Sequence, residues 1–192
     1  LETEPERSYR SGLAELLKTA LLARPAVFED MLADPSAYAR RDELRLRDAV
    51  AAATSAKAAI VSRDPEERGE RAVLNLGHTL GHALEAAGGF ERYTHGEAVG
   101  LGLLAALRIG TALGVTQDGE ALVRLVARLL ASVGLPSTLT DAELTSALPF
   151  LGLDKKRTGR SLRFITVERP GVPRMVDLPV DELRRLLLTH GA

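Results

Sequence analysis

The 192-residue sequence contains no cysteine and no tryptophan, and only 4% of its residues are aromatic. Without cysteine the chain can form no disulfide, and any metal ion must be held by histidine and carboxylate side chains. With so few aromatic residues, leucine, alanine and valine must fill the core that a hydrophobic content of 45% supports. These residues pack well between helices, so the composition favours a mainly α-helical fold.

The sequence also lacks a strong net charge and long apolar runs. A formal net charge of −1 gives no electrostatic basis for binding nucleic acid or a membrane. No apolar run approaches the roughly 20 residues that span a bilayer, and the first residues have no signal-peptide character. The lack of cysteine is compatible with a reducing cytosol, and we expect a cytoplasmic protein. No glycine-rich nucleotide loop is recognisable, because the candidate glycines fall in predicted helices, where they favour close packing: Gly77, Gly81, Gly100 and Gly102.

Helical periodicity dominates most of the chain. Asp64, followed by Pro65 and two acidic residues, is typical of a helix start, and Gly88 is typical of a helix end. The tail differs, because residues 162–167 and 174–178 have β-prone patterns separated by a turn. We therefore predict one helical domain over residues 1–192, with a small β-hairpin before a short final helix. The earlier helices are predicted over residues 11–22, 35–61 (one or two helices), 64–88, 95–113 and 119–133. In the helix over 64–88, Gly69 could delay the regular part to about Glu70.

Three of the four histidines, His78, His82 and His95, lie close together in the sequence. On one continuous helix, Asn75, His78 and His82 would lie at roughly 40°, 340° and 20° around the axis from Arg71, so all four side chains would share one face. A single histidine is most often a satisfied polar group at a helix surface, but a stripe this rich in polar side chains indicates the wall of a functional site. The stripe consists of Arg71, Asn75, His78 and His82.

A metal site is one interpretation of this stripe. His78 and His82, at positions i and i+4, could chelate one ion from a single helical turn. A catalytic zinc ion needs three protein ligands and an open position, so a carboxylate would have to come from elsewhere. Spacing alone does not rank the candidates, which are Glu15, Glu85 and Glu97.

Several cationic residues could complete a site for an anion. Glu15 and Lys18, at i and i+3, are best interpreted on their own as a surface ion pair. Lys57 lies in a run of small and apolar residues, where it could snorkel to solvent or point its ammonium group into an anionic site. A small polyanionic substrate would suit a pocket formed by Lys18, Lys57, Arg71 and one of Lys155 and Lys156.

The segment from Arg71 to Glu85, followed by His95-Gly-Glu-Ala-Val99, resembles the 3-dehydroquinate synthase family. The resemblance covers only the C-terminal, mostly helical half of that family and implies its fold. It also implies that the N-terminal, Rossmann-like, NAD-binding half is absent from this chain. Supporting similarities, in the family's order, are Ser11–Lys18, Lys57 ahead of Asp64–Arg71, and Asp154-Lys155-Lys156.

The resemblance implies roles for individual residues. It implies a zinc (or cobalt) site formed by Glu15, His78 and His95. His82 then matches an active-site histidine that is not a ligand, which replaces the simple i, i+4 chelate. Substrate-binding positions are matched by Lys18, Lys57, Arg71, Asn75 and one of Lys155 and Lys156.

The resemblance also implies a reaction. The family converts the seven-carbon sugar-acid phosphate DAHP to 3-dehydroquinate and phosphate in the shikimate pathway. NAD oxidises a ring alcohol, phosphate is eliminated, the ketone is reduced, and ring opening with aldol closure completes the conversion. A homodimer is expected, with NAD bound mainly by the absent half.

Three alternatives stay open. A 2-deoxy-scyllo-inosose synthase-like cyclase would share the metal-binding residues, although Asn75, His82 and residues 154–156 favour dehydroquinate synthase. A metal-dependent polyol dehydrogenase would share the two-domain plan but not this arrangement of Arg, Asn and His. A non-catalytic helical module would need neither the ligand residues nor the cationic ones.

Overall fold

The computed structural model describes residues 3–151 and 161–191. Among these residues, no helix combines the length and the apolar character that crossing a bilayer would require. Short 3₁₀ helices cover Glu70–Asn75 and Leu148–Phe150. The α-helices are α1 (Glu6–Ala23), α2 (Pro25–Ala33), α3 (Pro35–Ala39), α4 (Glu43–Arg63), α5 (His78–Ala87), α6 (His95–Ala112), α7 (Gly119–Ser132), α8 (Asp141–Ala147) and α9 (Val180–His190), and the strands are β1 (Ser161–Arg169) and β2 (Val172–Pro179).

Helix α6 is the centre of the fold. It packs against α1, α5, α7, α9 and β1. Its sequence consists almost entirely of small and apolar residues, so it is buried along its length, and Leu103, Leu107 and Ile109 are fully buried. The two strands pair antiparallel, with Leu162 opposite Leu178. The predicted mainly α fold with a small hairpin near the C-terminus is confirmed.

The helix predicted from Asp64 to Gly88 is wrong in its first half. Asp64 ends α4 instead of starting a helix, and its carboxylate accepts hydrogen bonds from the backbone N–H groups of Arg68, Gly69 and Arg71. The chain then forms the short 3₁₀ helix and turns at Gly77, whose φ of +77° is left-handed. Arg71 and Asn75 therefore do not share one helical stripe with His78 and His82.

Close contacts between backbones bring α1, α5 and α6 together. A Cβ atom added to Gly102 of α6 would lie 1.9 Å from the carbonyl oxygen of Gly77, where α5 begins. A Cβ atom on Gly96 would lie 2.0 Å from the carbonyl oxygen of Ser11 in α1. Only glycine fits at either contact, and both lie near the ends of helices that carry candidate site residues. The predicted role of Gly102 in close helix packing is confirmed, whereas Gly77 lies at a turn and not inside a helix.

Candidate metal centre

Three side chains from three helices converge on one point. Glu15 lies in the middle of α1, while His78 and His95 are the first residues of α5 and α6. One ligand atom from each lies within 4.8 Å of the other two. Oε1 of Glu15 lies 3.9 Å from Nε2 of His78 and 3.6 Å from Nε2 of His95. These distances are too long for hydrogen bonds and leave a gap among three potential ligand atoms.

His78 directs its unprotonated ring nitrogen, Nε2, towards this gap. Its Nδ1 lies 3.1 Å from the carbonyl oxygen of Leu76, which can only accept, so Nδ1 carries the proton. Burial, with a further contribution from the Lys18 ammonium, lowers the pKa of His78 from 6.5 to about 4. His78 is therefore neutral at pH 7, and its Nε2 lone pair faces Glu15, as a metal ligand requires.

Lys18 is buried in its ion pair with the partly buried Glu15, which corrects the expectation of a surface ion pair. Nζ of Lys18 lies 2.7 Å from Oε2 of Glu15, and Lys18 is 3% exposed. Burial raises the pKa of Glu15, but the ammonium of Lys18 outweighs it and holds the pKa below its ordinary value. Oε1 of Glu15 is buried and finds no hydrogen-bond partner among the described residues. Such an orphaned carboxylate oxygen, faced by two imidazole nitrogens, fits a bound cation.

His82 and Glu85 extend the cluster along α5. The ring centroid of His82 lies 5.2 Å from that of His78 and 5.9 Å from that of His95. Glu85 lies one turn further and faces Nδ1 of His95 at 3.2 Å. His82, Glu85 and His95 form a second group whose potential ligand atoms lie within 4.8 Å of one another. His78 and His82 thus fall in different groups of potential ligands, which share His95.

The three carboxylates that the sequence offers as candidate metal ligands occupy different positions. Glu15 lies in the first cluster, and Glu85 faces the far side of His95. Glu97 points away to Arg7, with Oε2 2.7 Å from Nη2, and accepts a hydrogen bond from the backbone N–H of Thr94. Glu97 therefore completes a capping box at the start of α6 and is not part of the cluster.

The predicted cationic residues are only partly brought together. Burial lowers the pKa of the Lys18 ammonium, and Lys57 lies near enough for its charge to add to this effect. Arg71 and Asn75 converge instead on Glu67, with Nδ2 of Asn75 2.9 Å from Oε1 of the carboxylate and Nε of Arg71 3.9 Å from Oε2. Glu67 could not be recognised from the sequence, because its left-handed φ of +55° breaks the helix that the spacing predicts there. Lys155 and Lys156 lie outside the described residues.

Comparisons of the sequence with known proteins find relatives of one family. A family model described as 3-dehydroquinate synthase C-terminal matches residues 12–157. The 3-dehydroquinate synthase of Laribacter hongkongensis is 41% identical over 191 residues, covering 100% of this chain and 52% of its own length. That of Nitrosospira multiformis is 39% identical over 171 residues, covering 89% of this chain and 46% of its own length.

Solved structures share the fold at lower sequence identity. A 2-deoxy-scyllo-inosose synthase complexed with carbaglucose-6-phosphate, NAD+ and Co2+ matches with a TM-score of 0.80 at 23% identity, over 99% of this chain and 53% of its own. The 2-epi-5-epi-valiolone synthase of Streptomyces hygroscopicus, solved with NAD+ and Zn2+, matches with a TM-score of 0.79 at 22% identity, over 97% of this chain and 52% of its own. The chain spans about half the length of the curated relatives it matches. With the family model covering most of its residues, the chain belongs to the 3-dehydroquinate synthase C-terminal family.

Proposed function

We propose that this chain is the metal- and substrate-binding domain of a 3-dehydroquinate synthase, which converts DAHP to 3-dehydroquinate and phosphate. The observation that carries the proposal is the buried Oε1 of Glu15, which has no hydrogen-bond partner in the described part of the chain and is faced by Nε2 of both His78 and His95. The relatives at about 40% identity that bear this enzyme's name support the choice of substrate.

The donor set suits zinc or cobalt. Two imidazoles and one carboxylate are a common ligand set for a catalytic zinc ion and leave a position open for substrate. The chemistry that such an ion supplies when bound is polarisation of a substrate hydroxyl, which lowers its pKa and favours loss of hydride. Solved cyclases of the same fold that contain Zn2+ or Co2+ support this assignment.

The other side chains would bind and orient the substrate. Lys18 keeps Glu15 ionised and so keeps this ligand ready for a cation. The exposed His82 lies beside both candidate histidine ligands and would move a proton or orient phosphate. Basic and amide side chains would hold the carboxylate and phosphate of DAHP in one pose; these are Lys18, Lys57, Arg71, Asn75 and one of Lys155 and Lys156.

The remaining components belong to the same proposal. NAD+ supplies the hydride acceptor and would be bound mainly by the N-terminal, Rossmann-like half of the longer enzyme. The solved cyclases of this fold that contain NAD+ support this part. The family resemblance adds a homodimer and a cytoplasmic location as expectations.

Metal analysis of two histidine variants tests the proposal. We expect His78→Ala to lose bound zinc, because it removes one of three ligands, whereas His82→Ala keeps the metal. In the longer enzyme, His82→Ala should still lose turnover of DAHP. Equal loss of zinc in both variants would contradict the assignment and favour a chelate of His78 with His82.

The nearest alternative function is that of a different sugar-phosphate cyclase. The structural matches to a 2-deoxy-scyllo-inosose synthase and a valiolone synthase favour it at the level of fold, whereas relatives at about 40% identity favour dehydroquinate synthase. Product analysis of the longer enzyme with DAHP separates the two, because only a dehydroquinate synthase releases 3-dehydroquinate from it.

A further inference from the structure

We propose that Glu85 is a positioning residue that fixes the tautomer and orientation of His95 and thereby sets the metal affinity of the site. The inference rests on the proposed metal-binding role of Glu15, His78 and His95. It assigns Glu85 a hydrogen-bonding role behind a ligand, distinct from that of the ligands themselves.

The geometry of the contact dictates the tautomer of His95. Its Nδ1 lies 3.2 Å from both Oε1 and Oε2 of Glu85. A carboxylate can only accept hydrogen bonds, so Nδ1 must carry the proton. In neutral His95 the lone pair then lies on Nε2, which faces Oε1 of Glu15 at 3.6 Å. The other tautomer would set the Nδ1 lone pair against the carboxylate and turn an N–H group into the metal gap.

His95 needs this support more than His78 does. The side chain of His78 is 14% exposed and its Nδ1 donates to the fixed carbonyl oxygen of Leu76. The side chain of His95 is 44% exposed, so packing restricts its rotation much less. Glu85, at 14% exposure, is the better-fixed member of its pair. A well-held carboxylate therefore orients a loosely held imidazole, as in many metal sites where a second residue orients a ligating histidine.

Glu85 also supplies charge that the site would otherwise lack. The Lys18 ammonium lies 2.7 Å from Glu15 and offsets the charge of the only carboxylate in the proposed ligand set. A divalent cation would then face two neutral imidazoles and a neutralised carboxylate. The carboxylate of Glu85 behind His95 restores negative charge and makes the imidazole a stronger donor.

Zinc titration of the purified chain against a chromophoric chelator tests the inference. We expect Glu85→Ala to weaken zinc binding about 10- to 100-fold, the range that loss of such an orienting partner typically causes. Glu85→Gln should lose less, because its amide oxygen still accepts from Nδ1 but carries no charge. The stoichiometry should stay at one zinc ion per chain in both variants. Glu91→Gln, in the exposed loop after α5, is the matched control and should bind zinc like the unchanged chain.

A second measurement reports on the tautomer without metal. Nitrogen NMR shifts of the His95 ring should show a protonated Nδ1 in the metal-free chain and a mixture of tautomers in Glu85→Ala. Thermal unfolding in EDTA shows whether each variant folds. If Glu85→Ala does not fold, the zinc affinity and tautomer of Glu85→Gln are compared with those of the unchanged chain. Unchanged zinc affinity and tautomer in Glu85→Ala would overturn this inference alone. The proposed function would stand as long as the unchanged chain binds one zinc ion and His78→Ala loses it.

Two further outcomes also decide against the inference. Two zinc ions per chain, one of them lost in His82→Ala, would make Glu85 a ligand of a second ion together with His82 and His95. No zinc binding by the unchanged chain would overturn the proposed function together with this inference.

Discussion

His78 is a titratable side chain held where positive charge is unfavourable. Its pKa is about 4 in the folded chain and 6.5 in a model peptide, because of burial and the nearby Lys18. Between these values the unfolded chain binds more protons, so this residue makes folding less favourable as the pH falls from 6.5 to 4. Above pH 6.5 the contribution is constant. In the metal-free chain we expect His78 to account for about 2–3 kcal/mol of the stability lost across this window.

Denaturant unfolding in EDTA at pH 7 and pH 4 measures this contribution. His78→Gln should lose less stability between the two pH values than the unchanged chain by that amount, because glutamine does not titrate. His190→Gln, an exposed position at the end of α9, should behave like the unchanged chain. Parallel pH profiles for the His78 variant and the unchanged chain would contradict the expectation.

Single residues of the site differ in how far the sequence could predict them. The roles of Glu15, His78 and His95 came from family resemblance, and the structure brings these three side chains together. The burial of Lys18 could not be predicted, because an i, i+3 pair with Glu15 has the same spacing whether it faces solvent or other helices. Its burial depends on the elements that pack against α1, among them α4 and α6.

At the scale of elements, the contact between α5 and α6 sets the geometry of the site. The Cβ atom of an alanine at position 102 would lie 1.9 Å from the carbonyl oxygen of Gly77 and 3.1 Å from the backbone nitrogen of Gly81. Neither backbone atom can move without shifting α5, which carries His78. We expect Gly102→Ala to destabilise the fold by about 1–3 kcal/mol and to weaken zinc binding.

Gly12→Ala in α1 is the matched control for this substitution. Apart from its chain neighbours and the backbone of its own helix, no atom of the described residues lies within 4 Å of a Cβ built at Gly12. The control should stabilise the chain by up to about 1 kcal/mol, because alanine favours a helix interior. Denaturant unfolding and zinc titration of both variants check the pair. Equal effects at the two positions would show that helix propensity, and not the contact between α5 and α6, decides the outcome.

The same contact explains why one predicted element was wrong. The spacing of Arg71, Asn75, His78 and His82 suits a continuous helix, but a helical spacing says nothing about a neighbouring backbone. Gly77 packs so closely on α6 that its Cβ would lie 2.9 Å from the carbonyl oxygen of Val99, and its φ of +77° turns the chain there. By contrast, the predicted bounds of α6, α7 and the C-terminal hairpin lie close to the observed ones.

For the whole molecule, the question is whether these residues suffice for turnover. In residues 3–151 and 161–191 the only sheet is a two-stranded antiparallel hairpin. Dinucleotide sites of the Rossmann type need an open parallel sheet with helices on both faces. The curated relatives are about twice as long as this chain. We therefore expect the isolated chain to bind zinc but to form no 3-dehydroquinate from DAHP and NAD+.

Joining the chain to the N-terminal half of a curated relative separates lack of a cofactor site from lack of a competent active site. Fused behind the N-terminal half of the Laribacter hongkongensis relative, the chain should gain NAD-dependent release of phosphate from DAHP. The same fusion with His78→Ala should stay inactive, because its metal centre has lost a ligand, although it still has the nucleotide-binding half. Product formation by the isolated chain would show that these residues hold NAD by themselves. An inactive fusion that binds both zinc and NAD would point to a different substrate, which makes substrate choice the property that this experiment decides.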